Sequence, residues 1–104
     1  MATSKEYFDF VTEQLAQIDG ISYRAMMGEY IVYCKAKVVG GIYDDRLMVK
    51  PTKSARKLLP HAPSEEPYAG AKQMIVVEDL ENKSLLSALF NGLYEELPAP
   101  KMKK

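Results

Sequence analysis

The stretch at 22–50, SYRAMMGEYIVYCKAKVVGGIYDDRLMVK, is rich in β-branched and aromatic residues and is broken by short turn signals. It predicts an antiparallel meander of four strands, at 22–26, 30–35, 37–43 and 46–50. Gly28-Glu29 is expected to form the first turn, since glycine tolerates positive φ at no steric cost. Ile31, Val32, Tyr33 and Cys34 make a continuous apolar run, which fits a central strand covered on both faces, or one with one face covered and a partner on the other. Lys35-Ala36 reads as a tight connection although it holds no glycine. Gly40-Gly41, inside the third strand, marks a bulge or a close backbone approach. Asp44-Asp45 is a two-residue hairpin signal. Pro51 stops the fourth strand because it has no N–H for the ladder.

The period changes on either side of the meander. At 4–18, Tyr7, Phe8, Val11, Leu15 and Ile18 fall on one helical stripe. Thr3 and Glu6 have capping-box spacing, and Asp19-Gly20 supplies the stop. A short helix is expected at 53–59, capped by Thr52, anchored by Leu58 and Leu59 and closed by Pro60. Residues 60–72, PHAPSEEPYAGAK, carry three prolines and a glycine and read as a loop long enough to be functional. QMIVVE at 73–78 returns to strand character and extends the sheet. A last helix at 82–97, capped by Asp79 or Asn82, carries Leu85, Leu86, Leu89, Phe90, Leu93, Tyr94 and Leu97 on one stripe. Gly92 inside it costs about 1 kcal/mol relative to alanine and suits close packing. Pro98 and Pro100 end it. The predicted order is α-β-β-β-β-α-β-α, an α+β fold with a curved antiparallel sheet covered by helices. One domain is expected at 1–98, followed by a short basic, disordered tail at 99–104.

Bulk composition narrows the function classes. Fourteen basic and fourteen acidic residues cancel, which argues against a general nucleic-acid binder relying on excess Lys and Arg. A local basic patch is still compatible with that balance. One cysteine allows no intrachain disulfide and points to a reducing compartment. MATSKEYFDF has no apolar core of a signal peptide, and no run reaches the roughly 20 apolar residues of a membrane span. A cytoplasmic protein is expected.

Several segments, in order, resemble the TfoX N-terminal domain family. They are KEYFDFVTEQL, ISYRAMMGEYIVYC, GGIYDDRLMVKPT and LYEELPAPK. Arg24, Met26, Met27, Gly28, Glu29 and Tyr30 resemble the family's R-x-M-[MF]-G-[EG]-[YF] signature. Gly41, Asp44, Leu47, Lys50 and Thr52 match the G-x-x-D-x-x-L-x-x-K-x-T pattern that follows. The resemblance implies a small curved antiparallel sheet with helices packed on it, comparable to secretion-chaperone-like folds. It also implies a non-enzymatic role in regulating natural competence, beside a transcription activator. It brings no catalytic residues and no cofactor. Longer members carry a second, helical domain at the C-terminus, so a stand-alone N-terminal domain is expected here.

The residues themselves offer two candidate sites. Arg24, Met26, Met27, Gly28, Glu29 and Tyr30 read as a partner-binding surface, with Arg24 and Glu29 as polar anchors beside adaptable methionines. The alternative is structural: both methionines in the core, Gly28 in a turn, and Arg24 paired with Glu29 or another acid. Lys50, Thr52, Lys53, Arg56 and Lys57 form a basic cluster at a helix start, where free amides attract anions. The alternative is a solvated helix face. His61 lies in the loop with no ligand-type spacing to Cys34, and Cys34 reads as a small buried hydrophobe. Glu65, Glu66, Glu78 and Asp79 make no acid–base pair. Tyr68 either packs the loop down or lines a pocket.

These readings predict a non-enzymatic, regulatory protein-interaction module with a protein partner in the transcription machinery. The alternative is a small-molecule, nucleotide or anion-binding module using the 60–72 loop and the basic cluster. An open sheet leaves an edge strand, so a homodimer is also expected. No metal and no membrane enter either reading.

Overall fold

The computed structural model of the chain describes residues 3–97. The elements run α1 (Lys5–Gln14), β1 (Ile21–Met26), β2 (Glu29–Cys34), β3 (Lys37–Ile42), β4 (Leu47–Val49), α2 (Lys53–Leu58), β5 (Ser64–Glu65), β6 (Met74–Val76) and α3 (Lys83–Glu96). The strands form one antiparallel sheet in the order β1-β2-β3-β4-β6-β5. The predicted order therefore holds, with one strand added.

That strand corrects the reading of 60–72 as pure loop. Ser64 and Glu65 pair with Ile75 and Met74. Glu65 also forms an ion pair with Arg46, across the sheet from the third turn. Both ties are long-range, and no local pattern announces them.

The meander is built from three two-residue turns, and in each both central residues take positive φ. They are Met27 and Gly28 (52° and 86°), Lys35 and Ala36 (50° and 73°), and Asp44 and Asp45 (51° and 58°). This is the hairpin turn whose twist matches that of the flanking strands. Met26 faces Glu29, so the first turn is Met27-Gly28 rather than Gly28-Glu29. Gly40-Gly41 serves both expected purposes. The register between β2 and β3 shifts at Val32/Tyr33. A side chain at Gly40 would meet the Met48 carbonyl oxygen at 2.1 Å, and one at Gly41 would meet the Tyr43 ring at 2.3 Å.

The first helix is shorter than its stripe. Ser4, not Thr3, is its N-cap, accepting from the Tyr7 N–H. Thr3 is engaged elsewhere, as described below. After Gln14 the chain tightens, with Ala16 and Ile18 donating to the carbonyls of Glu13 and Leu15. Leu15 and Ile18 stay buried all the same. Thr52 and Asn82 cap α2 and α3 by accepting from Ala55 and Leu85 N–H groups. At Gly92 an added Cβ would lie 2.6 Å from Ser54 Cβ, so the glycine sets how closely α2 and α3 approach. The expected prolines after α3 and the tail at 99–104 lie outside the described residues.

The core sits between the helices and one face of the sheet. Val11, Leu15, Ala55, Leu86, Leu89, Phe90 and Leu93 meet Val32, Ile42, Leu47, Val49 and Ile75 there. Phe8 of α1 stacks on Tyr30 at 3.9 Å and meets Tyr23 edge-on at 5.3 Å. Strand alternation turns Gly41, Met48, Met74 and Val76 to the opposite face. Met48 and Val76 are buried as well. β4 and β6 are thus covered on both sides, whereas in β2 only Val32 and Cys34 of the apolar run are buried and Ile31 and Tyr33 are half-buried on the second face.

Candidate functional site

The second face of the sheet is where the chain leaves open surface. The segment between β5 and β6 lies across it. Pro67 is buried there, and the Tyr68 ring stands 6.0 Å from Tyr43, tilted by 58°. Arg46 anchors this segment by pairing with Glu65 and donating to the Tyr43 carbonyl oxygen at 3.2 Å. Gly41 makes room for the Tyr43 ring. Burial raises the Tyr43 phenol above its ordinary range, with Tyr68 and Glu29 adding to the effect, so it stays a neutral donor.

Tyr43, Pro67 and Tyr68 form a wall shared by two clefts. The smaller, of about 290 Å³, is completed by Met26, Met27 and Glu29. The larger, of about 500 Å³, runs from Lys50 and Thr52 to Lys72 and Met74. The structure thus brings part of each candidate site, Met26, Met27 and Glu29 of one and Lys50 and Thr52 of the other, to opposite sides of one aromatic wall. Tyr68 lines both clefts and is 61% exposed.

At the first turn, Met27 is 97% exposed and Met26 43% exposed, so neither belongs to the core. Arg24 is exposed on β1, two residues from Met26 and on the same face by alternation. Its expected pairing with Glu29 does not occur. The Glu29 carboxylate instead accepts from the Thr3 hydroxyl at 2.6 Å and the Asp44 N–H at 3.1 Å. Asp45 N–H in turn donates to the Thr3 hydroxyl, and Ser4 N–H to the Asp45 carboxylate. Glu29 ties the N-terminal segment to the third turn. Gly28 carries the turn, and half-buried Tyr30 stacks on Phe8.

The basic cluster divides. Lys50 and Thr52 line the larger cleft. Lys53, Arg56 and Lys57 are exposed on α2. The start of α2 already has an anion of its own. Glu96 from α3 accepts from the Ser54 N–H at 3.1 Å and from the Ser54 hydroxyl. Those bonds, the side-chain one first, hold the Glu96 carboxyl below its ordinary range. A carboxylate three elements away in sequence could not be placed at this helix start from local spacing.

The remaining chemistry is sparse. Cys34 is 2% exposed, and burial pushes its thiol up, with nearby Lys35 only partly opposing this. His61 is exposed in the loop. Among the described residues, no three His, Cys, Asp or Glu side chains gather as metal ligands would. No described helix is long and apolar enough to cross a membrane. Sequence reasoning missed Tyr43 and Pro67 as wall residues. The glycine that admits the Tyr43 ring was the available signal.

The sequence profile of the TfoX N-terminal domain matches residues 13–89. An uncharacterised 12.7 kDa protein from the trpE 5′ region of Spirochaeta aurantia is 35% identical over 105 residues, spanning 100% of this chain and 91% of its own length. No solved structure matches the chain.

Proposed function

The chain belongs to the TfoX N-terminal domain family, and we propose that it is a non-enzymatic, regulatory protein-interaction module that receives its partner at the Met26-Met27 turn. The observation that carries this reading is the near-complete exposure of Met27 at the rim of an apolar cleft. A thioether held in solvent by a left-handed backbone gains nothing from the fold. It gains from a partner that covers it, and methionine adapts well to such contacts. The cleft beside it is walled mainly by proline, thioether and aromatic groups, and its one carboxylate, Glu29, is engaged by the Thr3 hydroxyl and the Asp44 N–H, which favours contact over proton transfer. Arg24 extends the same surface with a cation. The competence-linked role that the resemblance implies would place the partner in the transcription machinery.

The test is affinity capture from cells of the source organism with the full chain and with the Met26→Ser/Met27→Ser double variant. Both residues are exposed, so the variant should fold. The expected result is a transcription-related protein held by the natural chain and lost by the variant. Equal capture by both, or unchanged transcripts in a deletion strain, would overturn the proposal.

A further inference from the structure

We propose that the larger cleft binds a small organic anion with a flat apolar body, such as a carboxylate or phosphate carried on a ring. This inference is independent of the Met26-Met27 reading, because the cleft lies on the other side of the Tyr68 wall.

The cleft's volume, about 500 Å³, falls within the roughly 300–1,000 Å³ of small-ligand sites. Its body is apolar. Tyr43 and Tyr68 offer ring surface, and Pro51, Pro67 and Met74 continue it. Its charge is of one sign. Lys50 and Lys72 line it, and no aspartate or glutamate does. In a chain with as many acids as bases, that exclusion is informative. The ion pairs among the described residues are Lys5–Asp9 and Arg46–Glu65, so neither cleft lysine has an acidic partner there. Lys50 is half-buried along the cleft, and an anion in front of its ammonium would gain a charge-assisted hydrogen bond there. Cations and aromatic rings in one lining define a ligand that carries both a negative charge and a flat apolar surface.

The experiment is an amide NMR titration of the full chain with 2-naphthoate, 2-naphthyl phosphate, the neutral 2-naphthamide and the cationic 2-naphthylmethylammonium. Either anion should give saturable shifts at Tyr43, Tyr68, Lys72 and Gln73 and raise the unfolding midpoint by mass action. The neutral and cationic compounds should bind at least about tenfold more weakly. The carboxylate and phosphate arms identify the preferred head group. Lys50→Met and Lys72→Met should each weaken anion binding by about tenfold, with unshifted spectra elsewhere showing that the variants are folded. No saturable shift with either anion at millimolar concentration would overturn the proposal. So would equal binding of the cation, or anion-induced shifts confined to α2 and away from Tyr43 and Tyr68.

Discussion

Lys37 of β3 binds Tyr94 of α3 twice. Its ammonium donates to the Tyr94 carbonyl oxygen at 2.7 Å and lies 4.2 Å from the centroid of the same residue's ring. It also donates to the Leu97 carbonyl at 2.9 Å. The last turn of α3 carries no basic residue of its own. A lysine from the sheet supplies the positive charge that the helix C-terminus favours. Lys37→Met keeps the aliphatic stem and removes the charge. It should cost about 1–2 kcal/mol, and added salt should shrink the difference. Urea unfolding of both proteins at low and high salt measures it.

Glu29 is the second long-range tie. Replacing it by alanine leaves the Asp44 N–H without its acceptor and the Thr3 hydroxyl with only the Ile42 carbonyl oxygen at 3.3 Å. A loss of about 1–2 kcal/mol is expected. Amide exchange should quicken at Asp44, Asp45 and Ser4 before it does in α3. If exchange rises uniformly instead, the carboxylate is not a local tie. Binding studies at the first turn are therefore cleaner with Met26, Met27 and Arg24 variants.

Ala36 sits at φ 73°, where a Cβ is unfavourable. An L-residue in the left-handed region costs about 1–2 kcal/mol, and glycine offsets part of its relief with about 0.5–1 kcal/mol of chain entropy. Ala36→Gly should stabilise the protein by about 0.5–1 kcal/mol. Ala88→Gly, on the exposed face of α3, should destabilise it by about 1 kcal/mol. Thermal midpoints moving in opposite directions are the expected outcome.

Tyr23 predicts an alkaline limit. Burial pushes its phenol up to about 12 from its ordinary value of 10.0. Below pH 10.0 both folded and unfolded chains hold this proton, and the contribution is full and constant. Between there and about 12, the unfolded chain has lost a proton that the native one keeps, so stability falls as pH rises. Tyr23→Phe should make that fall shallower. Tyr7 and Tyr43 are raised in the same direction and leave a residual slope. Denaturant midpoints across this range, for both proteins, give the comparison.

Local chemistry made much of the fold legible. The Asp44-Asp45 and Lys35-Ala36 turns, the caps at Thr52 and Asn82, and the stripe of α3 each follow from residues close in sequence. Gly92 and Gly40-Gly41 signalled close approaches that exist. What escaped was decided at a distance. Ser64 and Glu65 become a strand through β6 and Arg46. Thr3 leaves the capping role to Ser4 because Glu29 engages its hydroxyl. The candidate site divides the same way. Met26 and Met27 stood out in sequence, but their exposure depends on the turn falling one residue earlier than Gly28-Glu29. The Tyr43–Tyr68 wall needed the β5–β6 segment to fold across the sheet.

The three tight turns also set the order of assembly. Each closes a loop of two residues, so β1 to β4 can zip together by short-range contacts at little entropic cost. β6 must reach β4 across α2 and the whole Pro-rich segment. The meander is thus the expected folding nucleus, and both clefts, which need Pro67 and Tyr68 in place, form after it. Folding kinetics should give high φ-values at Val32→Ala and low ones at Ile75→Ala. The surface assigned here to recognition is then the last part of the molecule to acquire its shape and the first to lose it.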